Sequence, residues 1–155
     1  MPLDATAFGY VSNLWDEPSP GDTTNIKVGG FCIWGTATSA MTPGNIVIAD
    51  SSADDSYKTT TSANSTSVVG YVVAGWGTVT GSGWDYSSTI ASGQKILILI
   101  KGVVLATASA AITRGARVGT STTAGQVVTT TTQDASKGIA LNTATAQGDT
   151  IRVLV

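Results

Sequence analysis

The chain of 155 residues contains no histidine and little charge. Charged residues make up 12% of it and leave a net charge of -2, whereas soluble domains usually carry about 25%. The absence of histidine excludes His-based triads, His metal ligands and the commonest general base. The near-neutral balance argues against nucleic-acid binding, because phosphates require a basic face.

The chain also lacks a second cysteine and any long apolar run. Cys32 cannot form an internal disulfide, and its position between Phe31 and Ile33 predicts a buried, inert thiol rather than a nucleophile. The longest aliphatic run, Ile96–Ile100, is far shorter than the roughly 20 residues of a membrane-spanning helix. No secretory signal is visible at the N-terminus, so we expect synthesis in a cytoplasm and no membrane partner.

No catalytic or metal-binding constellation stands out in the sequence. The carboxylates occur mostly in turn-like contexts, where Asp accepts backbone hydrogen bonds, and no pair is set apart as a glycosidase would require. The acidic stretch Asp50–Ser56 lacks the spacing of a calcium loop and is interpreted as a solvated loop. Gly75–Trp84 lacks the Lys-Ser/Thr ending of a phosphate loop. We therefore expect no enzyme, no cofactor and no metal.

Short runs of Val, Ile and Ala separated by Gly, Pro, Asn, Asp, Ser and Thr predict an all-β fold. An Ala-rich stretch, Leu105–Ile112, is the best candidate for a short helix, and Pro43-Gly44 suits the centre of a type II turn. The predicted strands are Ile26–Val28, Phe31–Trp34, Ile46–Ala49, Val68–Ala74, Ile96–Ile100, Val103–Ala106, Gln126–Thr131, Ile139–Leu141 and Ile151–Val155.

An internal repeat is the most informative feature of the sequence. The first copy carries about 13 additional residues within Gly75–Ile90, by comparison of glycine spacings. The repeat predicts a small β-barrel or sandwich built from two similar halves, 30–101 and 102–155. The corresponding stretches are Gly30–Ile33 with Gly102–Leu105, Met41–Gly44 with Ile112–Gly115, Val69–Val72 with Lys137–Ala140, and Ser92–Ile100 with Gln147–Val155.

Residues 1–29 differ in character, since turn formers replace the alternating pattern. We interpret them as an extended N-terminal arm that docks on another surface, because Leu14 and Trp15 are costly to leave in water. The alternative is an irregular terminus without a role. The candidate contact residues of the arm are Leu14, Trp15, Pro18, Pro20, Ile26 and Val28.

Aromatic residues in a Gly/Ser-rich stretch mark a candidate display loop, Trp76, Trp84 and Tyr86. Aromatic side chains on an adaptable backbone are typical of contact surfaces. The alternative is that Trp76 and Trp84 cover the core of their own subunit.

The second half of the chain resembles bacteriophage capsid decoration (cement) proteins, through Ile112–Val118, Gly125–Val127, Gly138–Ala144 and Gly148–Leu154. The first half is similar to the lambda-type members around Ala40–Pro43 and Val69–Val72. The resemblance implies a β-tulip-like fold, homotrimers that bind the major capsid protein, and an N-terminal arm that reaches across capsid subunits. It implies no catalytic residues, and places the protein on the outer capsid surface of a virion assembled in a bacterial cytoplasm.

The leading hypothesis is thus a structural protein that cements neighbouring subunits of an expanded phage head. The alternative is a fibre or adhesin module on the virion surface that binds a host glycan through the Trp76–Tyr86 loop. A hydrolase is the weakest of the three hypotheses.

Overall fold

The computed structural model describes residues 10–11, 30–77 and 83–155, and within these ranges the chain forms strands and no helix. The prediction of an all-β fold is confirmed. The strands are β1 (Tyr10–Val11), β2 (Gly30–Ala37), β3 (Ile46–Ala49), β4 (Ser56–Lys58), β5 (Val68–Trp76), β6 (Trp84–Asp85), β7 (Lys95–Thr107), β8 (Val118–Thr120), β9 (Val127–Thr129), β10 (Ile139–Ala140) and β11 (Thr150–Leu154).

The central strand, β7, corrects two predictions. The strands expected at Ile96–Ile100 and Val103–Ala106 form one continuous strand through Gly102. The short-helix candidate Leu105–Ile112 is wrong, because β7 continues to Thr107 and no helix follows within the described residues. Burial alternates along this stretch, which is the two-residue period of a strand, and this tertiary pattern outweighs the helix propensity of alanine.

The other predicted strands within the described residues are found, with shifts of a few residues at their ends. The strand predicted at Ile26–Val28 lies outside the described residues. Strands β1, β4, β6 and β8 were not predicted, because each has only two or three residues and is too short to produce an alternating pattern.

Strand pairing forms a closed cycle in the first half of the molecule. Pairing runs from β2 through β4, β3, β5 and β7 and returns from β7 to β2. The β2–β4 contact is parallel and spans only two residue pairs. The ladders that complete the cycle are too short for a regular barrel, so the predicted barrel or sandwich is realised as an irregular, strongly bent sheet.

The two predicted halves, called here the first segment (30–101) and the second segment (102–155), show matching registers. In the first, β2 pairs with the beginning of β7, and Thr36 lies opposite Lys95. In the second, the end of β7 pairs with β11, and Thr107 lies opposite Thr150. Four further pairs of the first segment each match a pair of the second: Ile46–Tyr71 matches Arg117–Ile139, Ile48–Lys58 matches Gly119–Val128, Ala37–Tyr57 matches Ala108–Val127, and Met41–Ile90 matches Ile112–Ala144.

A turn before β3 has a counterpart in the second segment. Asn45 N–H donates to the Thr42 carbonyl at 3.1 Å, which puts Pro43 and Gly44 at the centre of the turn. Gly44 has φ 91°, as a type II turn requires at its third position. The matching turn closes from Ala116 N–H to the Thr113 carbonyl at 3.0 Å.

The interiors of the two segments are built from matching positions. The core cluster of the first segment consists of Ala37, Met41, Val47, Tyr57, Val72, Ile90, Ile96 and Ile98. In the same order, the registers pair these residues with Ala108, Ile112, Val118, Val127, Ala140, Ala144, Ile151 and Val153, which are all buried. This second set merges with the outer face of the first segment into one larger cluster, so the two segments share a core.

Candidate functional site

The β5–β6 hairpin brings two of the predicted display residues together. Trp76 pairs with Trp84 across the hairpin, and their rings lie 5.3 Å apart at 76°, an edge-to-face contact. Such a pair contributes about 0.5–1.5 kcal/mol beyond its burial. Trp84 packs partly against the large core cluster, whereas Trp76 is 43% exposed. Each alternative from the sequence therefore applies to one of the two residues: Trp84 partly covers the core, and Trp76 is exposed to solvent.

A third tryptophan, not identified from the sequence, completes this aromatic surface. Trp34 on β2 is 56% exposed. The Nζ atom of Lys95 on β7 lies 4.9 Å from the centre of its ring, a cation–π contact worth about 0.5–1 kcal/mol at an exposed site. The available signal was an aromatic residue beside the buried Cys32 and Ile33 in a strand pattern, but the sequence does not show which strand faces the hairpin.

Trp34, Trp76, Trp84 and Lys95 line an open depression of about 370 Å³. We call these four residues the tryptophan depression. Its walls are mostly aromatic and its cation is Lys95, which is the composition of a recognition surface: flat apolar rings with one polar group to orient a ligand. No side chain in it is placed as a nucleophile beside a base, so it offers binding chemistry and not acid–base chemistry.

Tyr86, the third predicted display residue, follows β6 in a bend and is 37% exposed. The bend is closed by Asp85, whose Oδ1 accepts hydrogen bonds from the backbone N–H groups of Ser87 (2.9 Å) and Ser88 (3.1 Å). Partial burial, with a smaller electrostatic contribution from Cys32, raises the pKa of Tyr86. Tyr86 is not among the residues that line the tryptophan depression.

The remaining reactive side chains have structural surroundings. Cys32 is buried as predicted, and burial raises its pKa to about 11, so the thiol is protonated and inert at neutral pH. Asp50 accepts hydrogen bonds from the Thr38 hydroxyl (2.5 Å) and from Lys58 Nζ (3.0 Å), and these contacts hold its pKa well below its usual range. Through these two contacts, the Asp50 carboxylate connects the acidic loop Asp50–Ser56 to Lys58 on β4 and to Thr38, which follows β2.

The described residues contain neither a metal-binding cluster nor a membrane-spanning helix. Across 10–11, 30–77 and 83–155, no group of three or more His, Cys, Asp or Glu side chains could hold a metal ion. In the same ranges no helix has the length and apolarity to cross a membrane. The candidate arm residues Leu14, Trp15, Pro18, Pro20, Ile26 and Val28 lie outside the described residues, so their contacts stay predictions.

Comparison with known proteins supports a phage virion component. No curated protein matches the sequence significantly. The fold is similar to the crystal structure of the N-terminal base of the head fiber protein gp8.5 of bacteriophage phi29, with a TM-score of 0.54 and 13% identity over 80% of this chain and 92% of that one. At this identity the likeness shows the fold alone. The relation to lambda-type decoration proteins stays a prediction.

The family match lies in the second half of the chain. Residues 79–155, about half of the sequence, match the model of the phage cement proteins. They contain β6, all of β7 and the complete second segment. The aromatic residues Trp84 and Tyr86 of the first segment also lie within the matched range. The cement family is structural, and a structural role in the phage virion follows for this chain. Through residues 79–155, the chain is a member of the phage cement protein family.

Proposed function

We propose that this protein binds the outer surface of an expanded phage head as a homotrimer and cements neighbouring subunits of the major capsid protein. The family match over residues 79–155 is the observation that carries this proposal. The low charge supports it as well, because surfaces buried between subunits are depleted in charged residues at their centre.

The test is direct binding to heads. Purified protein is added to expanded heads that lack decoration, and bound protein is counted by sedimentation and densitometry. We expect saturable binding, with roughly one trimer at each three-fold position, because the axis of a cyclic trimer can coincide with a three-fold axis of the head. We also expect greater resistance of the heads to heat. Absence of binding to expanded heads at micromolar protein concentration would contradict the proposal.

The N-terminal arm is proposed to make part of the capsid contact, by adding an extended segment to a capsid sheet. A double substitution, Leu14→Ser with Trp15→Ser, removes its two largest apolar contacts near the middle of the arm. We expect head affinity to fall at least tenfold while the circular dichroism spectrum stays unchanged. Head affinity within twofold of the original would show that these two residues do not contact the capsid.

Glycan binding on the virion surface is the second candidate function, and the tryptophan depression favours it. Three indole rings in an open depression of about 370 Å³ offer flat faces against which a sugar ring can stack, and Lys95 can donate to its hydroxyls.

The double variant of Trp34→Ala and Trp76→Ala separates the two candidates. Loss of binding to host polysaccharide with unchanged head binding would assign the depression to glycan recognition. If the original protein retains no polysaccharide on an affinity column, glycan binding is excluded at this site and the cement function stands alone.

A further inference from the structure

An exposed apolar row crosses the outer face of the second segment. Val103 on β7 lies opposite Leu154 on β11, and Leu154 lies opposite Ile139 on β10. Directly opposite residues in antiparallel strands point to the same face. These three side chains are 38%, 46% and 43% exposed, so they form one contiguous apolar strip, which we call the outer row.

The matching row of the first segment is buried by the second segment. By strand register, Cys32, Leu99 and Tyr71 correspond to Val103, Leu154 and Ile139. The irregularity between Phe31 and Cys32 shifts Cys32 by one residue from Val104, its counterpart in the repeat predicted from the sequence. Cys32, Leu99 and Tyr71 are at most 1% exposed. They belong to the same core cluster as Val118 and Val153 of the second segment. The Tyr71 hydroxyl completes this contact by donating to the Lys137 carbonyl at 2.9 Å.

Cations border the outer row. Arg117 forms a bridge opposite Ile139, Arg152 lies two residues from Leu154, and Lys101 lies two residues from Val103. Each therefore shares the face of its neighbour in the row. Within the part of the chain that the structure describes, none of the three is ion-paired. An occupant of this surface must therefore be apolar at its centre and acidic at its border.

The chain itself carries the complementary charge. Residues 102–155 contain four Lys or Arg and two Asp, a net charge of +2, whereas the first segment, 30–101, contains three Lys and four Asp, a net charge of -1. Asp54 and Asp55 are exposed in the connection between β3 and β4. Two outer rows placed against each other would bring like charges together, which disfavours a symmetric contact between identical surfaces.

We propose that a second copy of this chain covers the outer row with its first segment, in a head-to-tail contact. Within one chain, the second segment covers the apolar row of the first; in the proposed contact, the first segment of the next chain covers the apolar row of the second. The basic border of the outer row and the exposed Asp54 and Asp55 of the first segment favour this contact. Head-to-tail contacts form rings of three or more subunits when the rotation between neighbours closes, and open filaments when it does not. The inference rests on the self-association included in the proposed function, and it specifies the surface that mediates it.

The test is the mass of the full chain in solution, measured by analytical ultracentrifugation over a range of concentrations. We expect an assembly of at least three copies, weakened by raising the salt from 50 to 500 mM because the basic border is screened. A protein that is monomeric at every concentration, or dimeric at saturation, would overturn the proposal.

Two variants with matched controls locate the contact. Leu154→Glu places a charge in the outer row, and Thr150→Glu places the same charge on the same face at the other end of β11. We expect Leu154→Glu to weaken assembly at least tenfold and Thr150→Glu to leave it within twofold. Arg152→Glu should likewise weaken assembly, whereas Arg114→Glu, the same charge change in an exposed turn, should not. Equal assembly by Leu154→Glu and Thr150→Glu would overturn the proposal.

Head binding distinguishes failure of this inference from failure of the proposed function. If the original protein assembles but does not bind heads, the cement function is wrong, while the assignment of the outer row as a contact between copies of this chain stands. If Leu154→Glu assembles normally and loses head binding, the occupant of the row is the capsid, and the inference is wrong while the cement function stands. A folded far-UV circular dichroism spectrum is required of every variant compared.

Discussion

Leu99 and Leu154 hold matching positions in the two segments, opposite Tyr71 and Ile139, yet Leu99 is buried and Leu154 is 46% exposed. The interior positions around them match closely and are buried in both segments. The difference lies on the outer face of each segment. The second segment covers the outer face of the first, whereas nothing within the described residues covers the outer face of the second. The same strand scaffold thus has a covered row in the first segment, at Cys32, Leu99 and Tyr71, and an exposed row at the matching positions of the second.

The segments also differ by one insertion. In the second segment, three residues separate Ala140 from Ala144, whereas the matching stretch of the first, from Val72 to Ile90, contains the β5–β6 hairpin. This insertion carries Trp76, Trp84 and Tyr86, so the tryptophan depression belongs to the first segment alone. The two candidate recognition surfaces, the depression and the outer row, are therefore on different segments.

The largest expected effect compares Leu99→Ala with Leu154→Ala. Removing a fully buried leucine costs about 2–5 kcal/mol, because a cavity is left, whereas removing a half-exposed one costs about 1 kcal/mol or less at low protein concentration. Urea unfolding below the concentration of assembly measures both. Equal losses would show that the outer faces of the two segments are equally covered.

Trp84→Ala and Trp76→Ala test the insertion. Trp84 packs partly on the core, so its removal should lower the free energy of unfolding by about 2 kcal/mol, part of the 3–5 kcal/mol of a fully buried tryptophan. Trp76→Ala loses mainly the edge-to-face contact, about 1 kcal/mol. Chemical denaturation followed by far-UV circular dichroism gives both values. A larger loss for Trp76 would reverse their assignment as core and display residues.

The matching turn glycines give a smaller contrast. Gly44 and Gly115 both have positive φ, so alanine is strained at either position, at about 1 kcal/mol. A Cβ atom on Gly44 would also lie 2.7 Å from the Leu105 carbonyl oxygen, whereas one on Gly115 meets nothing within 4 Å. We expect Gly44→Ala to be more destabilising by about another 1 kcal/mol in urea unfolding. Identical midpoints for the two variants would show that the turn of the first segment can move away from β7.

The smallest effect concerns one turn closed by different side chains. Ahead of β7, Gln94 Oε1 accepts from Ala91 N–H at 2.6 Å, and ahead of β11, Asp149 Oδ2 accepts from the N–H groups of Thr145 (2.7 Å) and Ala146 (3.1 Å). These bonds lower the pKa of Asp149. Its stabilisation is therefore present above the ordinary value of about 4 and is lost as the pH falls through its lowered pKa.

Amide hydrogen exchange at several pH values measures this difference. After correction for the intrinsic rate, protection of Thr145 and Ala146 should fall on acidification, and that of Ala91 should not. Asp149→Gln should remove the pH dependence. An equal loss of protection in both turns would show that the effect of acid does not come from protonation of Asp149.

Much of the fold was predictable because its signals are local. Gly44 lies where a type II turn needs positive φ, and the short apolar run Ile46–Ala49, bounded by Asn45 and Asp50, forms a strand. The short-helix candidate Leu105–Ile112 was wrong, because the helix propensity of alanine is weak compared with strand pairing. Trp34 was missed as a site residue because its neighbours come from β5, β6 and β7, which are distant in sequence.

The sequence by itself determined the all-β class, the repeated pattern, the buried Cys32 and the lack of histidine chemistry, because composition and spacing are properties of the chain. The tertiary structure decided which apolar residues are covered. Leu99 and Leu154 look alike in sequence, and only the packing of the second segment on the first buries one and leaves the other exposed. Burial depends on contacts between distant residues, which no local pattern encodes.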